Sequence, residues 1–327
     1  MASPNLTEII TTTLRQRSKK IADNVTNSNA LLMRLSERGR ARPADGGRTI
    51  VEELDYAENA TFLYYTGYEA WNIAPSDVIS AAEYDWKQAV VVVSISGLEG
   101  DVQNSGPSAV LNLLEARITN AERTMKNNLS TGVYSNGAGN GGKQVTGLQA
   151  IVADATTTGQ TGVGTVGGIN ASTPGYGFWA NQVLDLSASS ITISATTIQQ
   201  AMQLLWLQCI RGSDKPDLIV ADSTYFQFFW SSLTAIQRIN APGAGRAGFD
   251  SLAFATADVF FDGDSGLPAA HMYFLNTDYL AWRSHPSRNM TPLPSRNSIN
   301  QDASVVPLVW AGNLTCSNRS LQGVLKA

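Results

Sequence analysis

The chain has 327 residues, 43% hydrophobic and only 15% charged, with 28 glycines and a net charge of −4. Its aromatic content excludes a disordered chain, which needs high charge and few aromatics, and the low charge fits a surface largely covered by neighbours. The longest unbroken apolar run, Ala89 to Val93, is far short of a membrane span, and the start Met1-Ala-Ser-Pro-Asn5 has no apolar stretch, so no signal peptide is expected.

In chain order, Leu6, Ile9, Ile10, Leu14, Ile21, Val25, Leu31, Leu32 and Leu35 predict one or two short amphipathic helices ending at Gly39. Residues 1–43 hold eight basic against three acidic residues, a net of +5, which leaves −9 on residues 44–327. Such an arm meets a polyanion, or it docks on a neighbouring chain and carries solvated charge. Arg40 to Gly47 is a turn-rich joint. Residues 48–56 alternate and predict a two-faced strand. An aromatic stretch follows, with Phe62, Tyr64, Tyr65, Tyr68 and Trp71. Asp77 to Ser96 holds no Gly or Pro. Fully extended it spans roughly 65 Å, too long for one strand of a compact sheet. The section 48–96 therefore reads as a long projecting hairpin whose aromatic tip must pack on another subunit.

Pro107 to Leu129 predicts the clearest helix, with Val110, Leu111, Leu114, Ile118, Ala121, Met125 and Leu129 on one stripe. In the Gly-rich section 135–178, Leu148 to Ala153 predicts a short strand amid long loop. Ile191 to Ser194 is strand-like, and Thr196 to Arg211 reads as a helix with a Thr196/Gln199 capping box and Gly212 beyond its end. Leu218 to Ala221 predicts a buried strand, and Asp222 caps a helix running to about Ile239. Val259–Phe261 and Met272–Leu275 flank Asp262–Gly266 as a hairpin, and Tyr279 to Trp282 continues that sheet. Ser304–Leu308 and Asn313–Ser317 are the last predicted strands.

Motifs with a chemical look fail on context. Gly137 to Gln144 nearly matches a phosphate-binding loop, but Gln144 replaces the magnesium hydroxyl. That loop also follows a helix and precedes a strand, the reverse of what a phosphate cradle needs. Gly162 to Gly167 has dinucleotide glycine spacing without a helix N-terminus to hold a pyrophosphate. Gly263-Asp-Ser-Gly266 matches the nucleophile motif of chymotrypsin-like proteases, yet His271 and His285 both follow Ser265. Asp262 and Asp264 lack the remaining ligands of a calcium loop. Two histidines with Cys209 and Cys316 build no metal cluster of ordinary spacing, and the thiols read as buried and free. No catalytic residue, cofactor or metal is expected. A two-carboxylate hydrolase, which has no sequence signature, stands as the rival from another class.

The order of pieces carries more than any motif. Gly46 to Ile50 leads into Val51-Glu-Glu-Leu-Asp-Tyr56; Val90 to Ser96 ends at Gly97; Leu111 to Asn128 is one helix; Pro216 to Asp222 is followed by Tyr225. This set resembles the major capsid protein of tailed bacteriophages, with its HK97-like fold, over nearly the whole chain. In that resemblance the four segments are similar to the extended loop, the strand returning to the peripheral domain, the spine helix, and the central strand and helix of the axial domain.

The resemblance implies an α+β fold with a basic arm (1–44), an extended loop (45–90), a peripheral domain with the spine helix (91–145), an axial domain (146–300) and return strands to the peripheral domain (301–327). It implies a structural, non-enzymatic subunit, assembled in the host cytoplasm and located in the virion. Hexamers and pentamers of it form an icosahedral head enclosing the double-stranded DNA of a tailed phage. An encapsulin-like shell around protein cargo is the alternative. Implied partners are other copies, packaged DNA held without sequence preference, a portal, and scaffolding or decoration proteins; no membrane is involved. The implied interface residues are Phe62, Tyr64, Tyr65, Tyr68 and Trp71, and the implied DNA-facing residues are Arg15, Arg17, Lys19, Lys20, Arg38, Arg40 and Arg42. Two departures stand out. Only about 44 residues precede the loop, so scaffolding is expected from a separate protein or not at all. Residues 48–86 hold no lysine, so the Lys–Asn cross-links of some relatives are not expected.

Overall fold

The computed structural model describes residues 30–97, 113–155, 161–233, 251–262, 266–297 and 300–326. The predicted helical stretch before residue 30, the helix start at Pro107 and the Gly263-Asp-Ser265 motif lie outside these residues. In chain order the first elements are α1 (Ala30–Glu37), β1 (Ala41–Pro43), β2 (Ile50–Asp55), β3 (Ile79–Tyr84), β4 (Lys87–Ser96), α2 (Leu113–Val133), α3 (Leu148–Ile151), β5 (Thr165–Val166), β6 (Ile169–Asn170), β7 (Gln182–Asp185) and α4 (Ile198–Gln208). There follow β8 (Leu218–Ala221), α5 (Ser223–Ser232), β9 (Ser251–Phe254), β10 (Ala257–Phe261), β11 (His271–Leu275), β12 (Leu280–Ser284), β13 (Thr291–Pro292), β14 (Arg296–Asn297), β15 (Ala303–Cys316) and β16 (Gly323–Lys326).

β8 reads Leu-Ile-Val-Ala, and all four residues are buried. A strand apolar on both faces belongs in the middle of a covered sheet. It sits there, in the order β7-β16-β11-β8-β10-β9, parallel to β10 and antiparallel to β11. Alternation along the strands splits this sheet between two cores. Leu218, Val220, Phe260, Tyr273, Leu275 and Val324 enter one core. Ile219, Ala221, Val259, Met272, Phe274 and Leu325 enter the other, beneath α4 and α5. This order corrects the predicted hairpin across Asp262–Gly266, because β8 takes the place between β10 and β11.

The other large sheet is built on β15, a single strand of 14 residues where two were predicted. One edge pairs with β4, from Ala303 opposite Ser96 to Gly312 opposite Lys87. The other edge takes β14, β13 and β12 in turn. Pro307 is tolerated mid-strand for a geometric reason. In an antiparallel strand a residue's N–H and C=O point the same way. The Pro307 carbonyl accepts from Leu293 N at 2.8 Å, so its missing N–H faces the gap between β14 and β13 rather than β4. α2 packs across β4 and buries Ala121, Met125, Leu129 and Val133 at four-residue steps.

Several elements differ from expectation. Leu148 and Ile151 are both buried three residues apart, which makes 148–151 a helical turn instead of a strand. α4 is shorter than predicted and lacks the capping box: its N-cap is Thr197, whose hydroxyl donates to Thr192 O at 2.7 Å. Asp222 does cap α5 by accepting from Thr224 N, but the helix ends at Ser232. β12 joins the β15 sheet instead of continuing the β8 sheet. The section 301–327 also divides, since β16 lies between β7 and β11. Val324 and Leu325 explain this, as each fills a different core.

Cys209 and Cys316 are buried free thiols. Burial pushes the Cys316 thiol up to about 12 and raises Cys209 as well. Both shifts favour the protonated folded form. Their stabilisation is therefore full below the ordinary thiol value of 9.0 and is lost as pH rises past it. We expect neither thiol to react with maleimide in the native protein at neutral pH, and both to react after unfolding in urea. Rapid native labelling would contradict this burial.

Candidate subunit interface

The predicted long hairpin is real only in its first half. β2 and β3 pair antiparallel from Ile50 opposite Tyr84 to Asp55 opposite Ile79. The extended run then breaks at Asp85-Trp86, and β4 turns to β15. The root of this hairpin is fixed to the β15 sheet. Ile50, Leu54, Ala82 and Tyr84 are buried in the first core. The Tyr84 hydroxyl donates to Cys316 O at 2.8 Å and accepts from Cys316 N at 3.2 Å. Burial holds its pKa well above the ordinary tyrosine value of 10.0. Glu52 accepts from Arg283 Nε at 2.9 Å and Nη2 at 3.1 Å, and from Thr315 Oγ1 at 2.8 Å. At the turn, Gly46 (φ 99°) and Gly47 (φ 112°) adopt left-handed backbone, and Trp86 Nε1 donates to Gly47 O at 3.0 Å.

Glu52 was not among the candidate residues, yet the sequence held a signal. It lies between Ile50 and Leu54 on the inward face of β2. A carboxylate at an inward strand position needs a cationic or donor partner.

Beyond the root, no residue from 55 to 81 is buried. Phe62 is 74% exposed, Tyr64 91%, Tyr65 58%, Tyr68 107% and Trp71 63%. Among the described residues their ring contacts are local: Phe62 meets Tyr64 edge-on at 5.1 Å, and Tyr65 meets Trp71 at 5.4 Å. Short polar turns shape the segment, as Asn59 Oδ1 accepts from Thr61 N at 2.9 Å and Asn72 Oδ1 from Ala74 N at 3.1 Å. Large exposed apolar patches as a class mark interaction sites, and these rings are exposed on an extension shaped by polar turns.

The arm residues divide. Arg15, Arg17, Lys19 and Lys20 lie outside the described residues. Arg38 donates to Asp217 and pairs with Asp258 at 3.6 Å, and Arg40 pairs with Asp278. Asp217 also accepts from Thr277 N and Oγ1. These two arginines, expected to face DNA, are ion-paired within the chain and fasten the end of α1 to the body. Arg42 is exposed and donates to Gly39 O at 3.4 Å.

Other candidate chemistry finds no set. His271 Nδ1 lies 2.8 Å from Ala269 O and Nε2 3.3 Å from Asp154 Oδ2, so both nitrogens face acceptors rather than a nucleophile. Among the described residues no group of three metal-ligating side chains comes together, and no helix is long and apolar enough to cross a membrane. A cavity of about 210 Å³ beside the hairpin root is lined by Leu54, Asp55, Tyr56, Phe178, Trp179 and Arg211 among others, a mixed wall with one carboxylate rather than a pair.

No protein-family model matches the chain, and no curated protein matches it. Solved structures do. The cyanophage A-1(L) capsid asymmetric unit superposes with a TM-score of 0.69, at 15% identity over 96% of both chains. The chain has the mixed α+β fold of that capsid structure. The capsid of the empty GTA particle gives 0.58 at 13% identity, over 95% of this chain and 94% of that one. A structure from Mycobacterium phage Bobi gives 0.55 at 12% identity over 99% of each chain. On this capsid fold the exposed rings sit on the extension rooted at Glu52.

Glu52→Ala should destabilise the subunit by about 2–3 kcal/mol in urea unfolding, since it strands the half-buried Arg283. An unchanged midpoint would mean that apolar packing alone holds the root.

Proposed function

We propose that the chain is the major capsid protein of a tailed phage or phage-like particle, with an HK97-like division into arm, extended loop, peripheral and axial domains. Copies assemble as hexamers and pentamers into an icosahedral shell around double-stranded DNA. The observation that carries this reading is the fold likeness to a cyanophage capsid along 96% of both chains. The exposed aromatic extension supports it, because such a surface costs solubility unless a neighbour covers it. On this reading the protein is structural rather than catalytic, and residues 45–90, which include β2, β3 and the segment 56–78, are the extended loop. Fold likeness to phage and GTA capsids favours a DNA-enclosing shell over an encapsulin-like one. Sedimentation and negative-stain microscopy of the purified protein test the proposal. Megadalton closed shells are expected; a small oligomer overturns it.

Burying one aromatic side chain contributes roughly 1.5–3 kcal/mol, and a shell repeats each contact many times. Tyr65→Ser with Trp71→Ser should leave a folded subunit, judged by circular dichroism, that closes few or no shells. Wild-type particle yield from the double variant would exclude the loop as a lattice contact.

For the arm we propose that Arg15, Arg17, Lys19, Lys20 and Arg42 face packaged DNA. DNA carries one negative charge per roughly 1.7 Å of axis, so an acidic wall would raise the work of packaging. Contacts to phosphates are independent of sequence. Replacing Arg15, Arg17, Lys19 and Lys20 by Gln should leave empty shells intact and make filled particles less full. Failure of empty shells to form would assign the arm to assembly instead.

A further inference from the structure

α4 and α5 are the layer that closes the second core. Neither contains a single Lys, Arg, Asp or Glu. The other helices of eight residues or more carry charge where they meet water: α1 has Glu37 and α2 has Lys126. The inner side of α4 is Ile198, Ala201, Met202 and Leu205, all buried. Its outer side is Gln199, Gln200, Gln203, Leu204, Leu207 and Gln208, all exposed. Leu204 is 41% and Leu207 61% exposed.

We propose that this outer face of α4 docks on a second copy of the chain. The inference rests on the capsid reading and names a contact surface for it apart from the aromatic loop. Charge decides the choice of partner. Residues 44–327 carry a net −9, so two copies repel wherever acidic surfaces meet. A face without charge is where like bodies approach with neither repulsion nor ion desolvation. Glutamine suits a contact between identical chains, since its amide both donates and accepts and so complements another glutamine. Leu204 and Leu207 supply the apolar centre within that polar rim, as protein interfaces require.

The test places charge on the face in two ways. L204E/L207E removes the apolar centre; Q200E/Q203E leaves both leucines and alters only polar, exposed positions, so it decides the matter if the first variant misfolds. Circular dichroism checks folding, and sedimentation with negative-stain microscopy counts closed shells. Both variants should lower shell yield about tenfold or more, because an unpaired carboxylate buried at the contact weakens it wherever it recurs. Closed shells at wild-type yield overturn the inference, as does a variant that closes shells and loses only a foreign protein. If the wild type forms no shells, the capsid reading fails separately. The copy contact is then read from the small oligomer: its loss in the variants upholds the contact, and a monomeric wild type removes it.

Discussion

The antiparallel register between Lys87–Ser96 and Ala303–Gly312 is the contact from which the rest of the molecule hangs. β15 has a partner along both edges, so its carbonyls and amides are paired in a sheet that one helix can cover. Its far end presents Thr315 and Cys316 to the hairpin root, where Glu52 and Tyr84 bind them. Its other neighbour, β12, brings Arg283 to Glu52 and gives β1 a place to pair. Without this strand in this register the extension has no fixed origin.

The molecule separates two kinds of apolar surface. Inside, alternation along β8 and β11 feeds two cores from one sheet. Outside, rings crowd a segment whose backbone is held by short polar turns. The first kind holds the chain's own elements together. The second kind stays in contact with water in the single chain. Holding Arg38 and Arg40 to Asp217, Asp258 and Asp278 serves the same separation, because it keeps α1 on the body whatever the arm before it does.

Local signals in the sequence were legible. Leu218–Ala221 reads as a central strand from its composition, and Asp222 as a cap from its chemistry, and both are so in the structure. The stripe Ala121, Met125 and Leu129 likewise shows which side of α2 is covered. Pairing partners were not legible, because register depends on residues far apart. Nothing between Phe261 and His271 announces that β8 will lie between the strands that flank them. Val309 to Gly312 fell between two predicted strands, and only the pairing on both sides explains why the strand runs through them without a break. The basic count of the arm said nothing about which arginines would meet distant aspartates. The aromatic tip was visible by its oddness: rings between turn residues have no reason to be there in an isolated monomer.

β4 finds its partner strand roughly 200 residues later in the chain, a long-range closure of the kind that folds slowly. On a ribosome, the hairpin root cannot be locked until Thr315 and Cys316 have emerged. Until then the aromatic segment hangs from an unanchored stem, in no fixed orientation toward any neighbour. The aim of the aromatic segment is thereby timed by synthesis: a chain that stops before residue 303 carries the rings but has no fixed stem to point them.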